Sequence, residues 1–125
     1  MVGKKRFVVL TGAGLSAASG VPTFRGNEGF WKTKKNYGGE SDPTALLLTE
    51  FFFEKPEAVW EWHYDFIKLC EEKKPNAGHI AINKFQEHCL KKGIECMHVT
   101  QNIDDFHCQL IKKSFVLSKE QDKFF

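Results

Sequence analysis

Two glycines, Gly12 and Gly14, are the first residues of this chain whose type and spacing could do chemistry. They lie in the segment GAGLSA, residues 12–17, which follows a short apolar run and fits the pattern G-x-G-x-x-A. The first glycine of this pattern permits a tight turn, and the second lets the backbone approach a pyrophosphate. The helix that follows presents free N–H groups and its positive end to the phosphate. The pattern therefore indicates a dinucleotide site, although a strand-to-helix turn without a ligand would use the same glycines.

The residues after this turn exclude two common nucleotide-binding arrangements. A Rossmann-type dehydrogenase continues through a full helix to a strand that ends in Asp or Glu about 20 residues on. Here Gly20 and Pro22 end the helix within two turns, and a long glycine-rich loop follows from Thr23 to Asp42. A P-loop is excluded as well, because the chain has no G-K-[ST] sequence. A dinucleotide would therefore have to be clamped by a long loop.

Two strands must position the turn. Phe7–Leu10 is a continuous apolar run, which is typical of a parallel strand buried on both faces. Residues 94–99 indicate a second strand, with residues 100–104 as the loop at its carboxyl end. The order strand, glycine turn, helices, strand, loop predicts an α/β fold, the opening half of an open parallel sheet. Two strands, or three if residues 114–117 form another, are too few for a sheet covered on both faces, so we expect Leu10 and Val99 to lack partners and the chain to be marginally stable.

Four helices are predicted between these strands. Leu15–Ser19 forms a short one, and Asp42–Pro43 and Lys55–Pro56 each begin another, because proline suits the first helical turn. Apolar residues then recur at helical spacing. In the helix after Pro56 they are Val59, Trp62, Phe66 and Leu69 or Cys70; in a last helix, ended at Gly93, they are Ala77, Ile80, Ala81, Phe85 and Cys89.

Composition narrows the class of protein. The chain has 125 residues, a net charge of +2 and 42% hydrophobic residues, with basic residues spread along it, so nucleic-acid binding gains no support. No apolar run approaches the roughly 18 residues of a membrane-spanning helix. Four cysteines without a CxxC spacing are expected to be reduced and to form no zinc site from local pairs. The start of the chain leaves no room for a targeting peptide, so an intracellular protein, cytoplasmic or mitochondrial, is expected.

Three segments carry a resemblance to a known family. GAGLSAASGVPTFRG at 12–26 resembles the cofactor-binding signature of the sirtuins, and PNAGH at 75–79 and TQNID at 100–104 are similar to two further family blocks. The resemblance covers about residues 7–107. It implies NAD as a co-substrate for removing acyl groups from protein lysine, within a Rossmann-like domain accompanied by a small domain that binds zinc through four cysteines. The predicted fold is then an incomplete sirtuin-type parallel sheet with helices and without the zinc-binding domain.

The resemblance also implies roles for single residues. Gly12 to Gly14 would line the pyrophosphate, Phe24 would cover the nicotinamide and ribose, and Arg25 would pair with phosphate or hold the loop. Gln101 and Asn102 would reach the ribose, and Asp104 would accept a hydrogen bond from the nicotinamide carboxamide. The cofactor-binding residues carried over are Gly12, Ala13, Gly14, Ser16, Ser19, Gly20, Val21, Pro22, Thr23, Phe24, Arg25, Trp31, Gln101, Asn102, Ile103 and Asp104. Taken singly, Phe24 would be a packed loop aromatic, Arg25 a surface charge and Asp104 a turn residue.

The subgroup that the chain most resembles contains bacterial, archaeal and mitochondrial deacylases selective for acidic acyl-lysines. That selectivity uses a Tyr and an Arg three residues later, where this chain has His63 and Phe66. A neutral histidine and a phenylalanine supply no bidentate cationic fork for a carboxylate, and Tyr64 is only a weak substitute. His63 and Phe66 are therefore candidate substrate residues without the preference for succinyl or malonyl groups.

The family's catalytic histidine would follow Asp104 by about 15 positions as His-Gly, a region that here reads LSKE at 117–120. No catalytic residue is therefore assigned, and His107 matches a structural position of the family. The zinc cysteines are missing too, so residues 1–108 are interpreted as part of the catalytic domain and 109–125 as a divergent tail. We interpret the chain as a truncated, inactive NAD-dependent protein lysine deacylase; a non-catalytic NAD-binding module and a truncated splice product without turnover are the alternatives.

Overall fold

The computed structural model describes residues 5–23 and 35–112. Along the chain it contains β1 (Arg6–Thr11), α1 (Ala13–Ala17), α2 (Pro43–Leu46), α3 (Thr49–Glu54), α4 (Pro56–Glu71), α5 (Ala77–Lys91) and β2 (Glu95–Thr100). Residues 106–112 form a further helical segment, called α6 below. This is a partial Rossmann-like α/β arrangement, which confirms the predicted fold class.

The two strands pair in parallel, with Leu10 opposite Val99. One face of the pair lies against α5, where the rings of Phe7 and Phe85 meet edge to face with centroids 5.4 Å apart. On the other face Val8, Leu10 and Met97 are 69%, 68% and 62% exposed. The exposure of Leu10 and Val99 confirms the expectation that they lack partners, and β1 is not buried on both faces as a central strand would be.

The turn after β1 is tighter than predicted. Helix α1 begins at Ala13 with Gly12 as its N-cap residue, and Leu15 N donates to Gly12 O at 3.0 Å. The predicted start at Leu15 was therefore two residues late, because the glycine turn itself forms the first turn of the helix. Gly20 follows the helix with φ of +84°, a left-handed conformation that favours glycine and explains the predicted stop.

Helices α2 to α4 form a layer whose buried face was largely predicted. Asp42 caps α2 by accepting from Thr44 N, although the helix begun there is broken at Leu48 into α2 and α3. Along α4 the predicted residues Val59, Trp62, Phe66 and Cys70 are buried. Three of them enter two core clusters: Phe66 and Cys70 pack with Val21 and Phe106, and Trp62 packs with Tyr37, Leu46 and Ala58.

Helix α5 buries a different face from the predicted one. Of the predicted stripe, Ile80 and Phe85 are 41% and 38% exposed, and Cys89 is buried. The other buried residue of the helix is His79, a polar side chain that no apolar pattern includes. The stripe was therefore wrong in its first half, because α5 turns His79 toward α1.

Gly93, with φ of +65°, follows α5, and β2 begins at Glu95, one residue later than predicted. The third strand considered at 114–117, like the rest of the tail from residue 113 onward, lies outside the described residues. In residues 5–23 and 35–112, no helix is both long and apolar enough to cross a membrane.

Candidate functional site

The glycine turn and the 101–104 loop lie against each other at the carboxyl ends of the two strands. Gln101 N donates to Thr11 O at 3.3 Å, continuing the strand pairing by one residue. Asn102 Nδ2 donates to Gly12 O and to Ser16 Oγ, each at 3.1 Å. A Cβ on Gly12 would lie 3.4 Å from Gln101 Nε2. The two motifs, which are about 90 residues apart in sequence, therefore form one surface.

Ser16 connects the two motifs from beneath. Its side chain is completely buried, and its Oγ donates to Asp104 Oδ2 at 2.7 Å. The same oxygen lies 3.1 Å from Asn102 Nδ2 and 3.3 Å from His79 Nε2. A hydroxyl has one proton and two lone pairs. The three partners therefore use the full hydrogen-bonding capacity of Ser16.

The tautomer of His79 follows from its other nitrogen. Asn76 N donates to His79 Nδ1 at 3.2 Å as part of a capping box at the start of α5. Nδ1 is therefore an acceptor, and Nε2 carries the proton that is donated to Ser16. Burial lowers the pKa of His79, which favours this neutral form. His79 does not accept the Ser16 proton, so these residues are not a nucleophilic triad, in which the histidine is the base.

The start of α5 also holds α1 in place. Asn76 Nδ2 donates to Leu15 O at 2.7 Å and to Ser19 Oγ at 3.0 Å, while Asn76 Oδ1 accepts from Gly78 N. A Cβ on Gly78 would lie only 2.7 Å from Leu15 Cδ1, so the two helices approach closely. Sequence reasoning noted the PNAGH block but assigned it no role. The sequence signal for this role was Asn76, a good N-cap residue at the start of a predicted helix, followed three residues later by His79.

A cavity of about 110 Å³ opens beside this junction. Residues predicted as cofactor contacts line one side, and the candidate substrate residues His63 and Phe66 of α4 line the other. Leu47 and Trp62 also contribute, although the sequence indicated Trp62 only as a core residue. The lining comprises Ala13, Ser16, Val21, Pro22, Leu47, Trp62, His63, Phe66, Gln101, Asn102, Ile103 and Asp104.

His63 and Phe66 contribute an imidazole ring and a phenyl ring to the lining of the cavity. His63 Nδ1 donates to Val59 O at 2.8 Å, one turn back along α4. Phe66 is buried in the core cluster with Val21. Neither side chain provides the planar cationic fork that binds a carboxylate in two places.

The other predicted cofactor residues lie around the cavity or outside the described chain. Gly14 is exposed, and a Cβ there would meet no atom within 4 Å, so its backbone is open to an approaching ligand. Ser19 and Gly20 form the end of α1, and Thr23 is half-buried. Phe24, Arg25 and Trp31 lie outside the described residues.

Two further histidines pack beneath the site without lining the cavity. His98 Nε2 is 2.8 Å from Thr11 Oγ1, and the ring of His107 lies 3.7 Å from that of His98 and 5.2 Å from that of His79. Within the described residues, His107 Nε2 is buried without a hydrogen-bond partner. Burial, with smaller contributions from His98 and His79, lowers the pKa of His107 to about 4.

The described residues provide no set of ligands for a zinc ion. Cys70 and Cys89 are buried, and burial raises the pKa of both thiols, which disfavours the thiolate form that binds metal. Among residues 5–23 and 35–112, no group of three or more His, Cys, Asp or Glu side chains could hold a metal ion.

Comparisons of sequence identify relatives over most of the chain. The sequence model of the Sir2 family matches residues 12–116. The mitochondrial NAD-dependent protein deacylase sirtuin-5 of Monodelphis domestica is 38% identical over 112 residues, which are 90% of this chain and 33% of that protein. The NAD-dependent protein deacylase of Thermus thermophilus is also 38% identical over 112 residues, 90% of this chain and 41% of that protein. The chain thus spans between a third and two fifths of the length of these relatives.

Solved structures agree with the sequence relatives. A mutant Sir2 homologue in complex with 2′-O-acetyl ADP ribose has 36% identity and a TM-score of 0.59, covering 83% of this chain and 37% of that chain. A Sir2 structure with a p53 peptide and NAD+ has 31% identity and a TM-score of 0.57, covering 83% and 36%. These matches confirm the predicted subgroup of bacterial and mitochondrial sirtuins. Sequence, fold and the junction of the three motifs lead to one conclusion: this chain belongs to the Sir2 family.

Proposed function

We propose that this chain binds NAD in the cavity between α1, α4 and the 101–104 loop, as part of an NAD-dependent protein lysine deacylase. The observation that carries the proposal is the pair of hydrogen bonds from Asn102 Nδ2 to Gly12 O and Ser16 Oγ. They join the glycine turn, suited to a pyrophosphate, to the polar loop suited to the nicotinamide end. The names of the relatives and the NAD+ in a related structure support the same cofactor.

Each element would hold a different part of the dinucleotide. The open backbone at Gly14 and the start of α1 would bind the pyrophosphate, because the first N–H groups of a helix lack partners within the helix and attract anions. Because Asn102 Nδ2 is committed to the turn, its carbonyl oxygen would accept from a ribose hydroxyl, with Gln101 beside it. Asp104, held by Ser16, would accept from the nicotinamide carboxamide. When bound, NAD supplies the ribose carbon to which the acyl oxygen is transferred as nicotinamide leaves.

The remaining predicted contacts stay part of the proposal. Ser19, Gly20, Val21, Pro22 and Thr23 would shape the turn beneath the cofactor. Phe24 would cover the nicotinamide and ribose, Arg25 would pair with phosphate or hold the loop, and Trp31 would be a further contact. An intracellular location, cytoplasmic or mitochondrial, is also part of the proposal, and the mitochondrial sirtuin-5 relative supports it.

The second ligand would be an acylated lysine of a protein. His63 and Phe66 line the cavity beside Leu47 and Trp62, so the acyl group would meet mostly apolar side chains. An ionised carboxylate there would be desolvated without a cationic partner, which is costly. We therefore expect acetyl or other uncharged acyl groups rather than succinyl or malonyl groups.

Binding without turnover is the form of this function that we favour for the present chain. The region about 15 positions after Asp104, where the family has its catalytic histidine, reads LSKE at 117–120, and the only histidine among the described residues that line the cavity is His63. A non-catalytic NAD-binding module is therefore the second candidate, and only an activity measurement separates it from a working deacylase.

NAD-dependent thermal unfolding tests the binding proposal. NAD at about 100 times its dissociation constant should stabilise the folded chain by about 2.7 kcal/mol, which raises the melting temperature by several degrees. Asn102→Ala should abolish the shift, whereas Asn83→Ala, an amide on α5 that does not line the cavity, should retain it. A wild-type chain whose melting is unchanged by NAD would refute the proposal. Nicotinamide release in the presence of an acetyl-lysine peptide then decides between enzyme and binding module.

A further inference from the structure

We propose that His79 is a positioning residue for the nicotinamide end of the site, acting on Asp104 through the hydroxyl of Ser16. The described residues that line the cavity do not include His79, so it would not touch the cofactor. The inference rests on the proposed NAD site and adds a residue that the sequence motifs did not assign to it.

The direction of each hydrogen bond carries the inference. Asn76 N–H fixes Nδ1 of His79 as an acceptor, so Nε2–H is aimed at Ser16 Oγ. Asn102 Nδ2–H is a second donor to the same oxygen. With both lone pairs of Ser16 Oγ occupied, its single proton has one remaining acceptor, Asp104 Oδ2, at 2.7 Å.

The surroundings of His79 keep the ring in this orientation. The side chain is fully buried, with the ring of Phe106 edge-on at 5.1 Å and that of His107 at 5.2 Å. A ring flip would place a C–H group where Asn76 N–H and Ser16 Oγ now find nitrogen atoms. Burial makes such unpaired groups expensive, so His79 behaves as a fixed donor.

Removal of this donor would leave Ser16 Oγ with one donor, Asn102 Nδ2, in place of two, so the hydroxyl that donates to Asp104 Oδ2 would be held less firmly. Asp104 Oδ1 would keep its 3.4 Å hydrogen bond from Phe106 N. A carboxylate with one oxygen less firmly held binds the carboxamide less well, whereas the pyrophosphate, held by the backbone at the start of α1, is unaffected. The expected signature is a selective loss of affinity for the nicotinamide part of the ligand.

Calorimetric titration of the chain with NAD and with ADP-ribose, which lacks nicotinamide, measures this signature. His79→Leu should weaken NAD binding about tenfold more than ADP-ribose binding, or about 1.4 kcal/mol. His79→Gln should restore most of the difference, because glutamine at this capping-box position can accept from Asn76 N and donate to Ser16. His88→Ala, an exposed histidine on the same helix, should leave both affinities unchanged.

The possible outcomes separate this inference from the proposed function. Equal losses for NAD and ADP-ribose would overturn the positioning role and leave a purely structural one. A wild-type chain that binds neither nucleotide would refute the proposed site instead. If His79→Leu fails to fold, nitrogen NMR of the wild-type imidazole still decides: a proton on Nε2 and none on Nδ1 is required, and the opposite tautomer would overturn the inference.

Discussion

Single residues of the site were predicted as separate contacts to a cofactor, but the structure joins them to one another. Ser16, Asn102 and Asp104 each have a partner in this group. The motifs identified the residues, because glycine spacing and polar loop residues can be read locally. Their mutual hydrogen bonds could not be read, because they join positions 86 and 88 residues apart. His79 was missed as a site residue for the same reason.

Ser16→Ala tests the network directly. The substitution leaves the donors of His79 and Asn102 and the Asp104 carboxylate without their buried partner, which should cost about 1–3 kcal/mol. Urea unfolding measures the loss, and Ser41→Ala, at an exposed position, should change stability by less than about 0.5 kcal/mol. Equal stability of the two variants would mean that the Ser16 network contributes nothing.

The histidines beneath the site predict a pH dependence of stability. The pKa of His107 is about 4 in the folded chain, against an ordinary value of 6.5. Between these values the unfolded chain binds more protons, so stability is present above pH 6.5 and is lost as the pH falls. Burial also lowers the pKa of His79 and of His98. The charge of the nearby Asp104 acts in the opposite direction on the pKa values of His79 and His107.

We expect about 2 kcal/mol of this stability to be lost between pH 7 and pH 5 through His107 alone. Urea unfolding at the two pH values measures it. His107→Phe should flatten the dependence by about that amount, since the aromatic core contact remains and the titrating group is gone. His88→Ala provides the matched exposed control. An unchanged slope in His107→Phe would contradict the assignment.

At the scale of elements, amphipathic spacing predicted α4 well and α5 poorly. Helix α4 contributes Phe66 and Trp62 to two core clusters from one buried stripe that includes Val59, so these residues could be predicted from their spacing. Helix α5 instead uses a polar end to hold α1, and only part of its apolar stripe meets the sheet. Because Asn76 and His79 are polar, the spacing of apolar residues could not predict the contact that they make.

Asn76→Asp separates the cap of α5 from its contact with α1. Aspartate caps a helix about as well as asparagine, but it cannot donate to Leu15 O or Ser19 Oγ. We expect a loss of about 1–3 kcal/mol in thermal or urea unfolding, because a carboxylate would face the Leu15 carbonyl. The reverse exchange at the cap of α2, Asp42→Asn, should be nearly neutral. Similar small effects of both would show that α1 is not held by this contact.

At the scale of the whole molecule, the main feature is the face of the sheet that the described residues leave exposed. Val8, Leu10 and Met97 expose most of their surface on one side of a two-stranded parallel sheet. Parallel sheets are ordinarily covered on both faces. The continuous apolar run of β1 predicted such a strand, and the described residues cover only the face toward α5.

This face should make the isolated chain associate. The double substitution Val8→Thr and Leu10→Thr removes exposed apolar surface, and threonine favours strands as valine does. Association should therefore decrease, and light scattering at fixed protein concentration should fall clearly. The melting temperature should change little, because neither side chain is in the described core. If the double variant no longer unfolds cooperatively, this face of the sheet is buried in solution, which would contradict the present account.

Hydrogen–deuterium exchange with and without NAD tests the central claim most directly. If one dinucleotide lies across the junction, NAD should protect the amides of residues 12–16 and those of residues 101–104 together, over the same range of concentration. The amides at the exposed end of α5, residues 88–92, should not change. Protection of only one of the two motifs, or of neither, would contradict a shared NAD site.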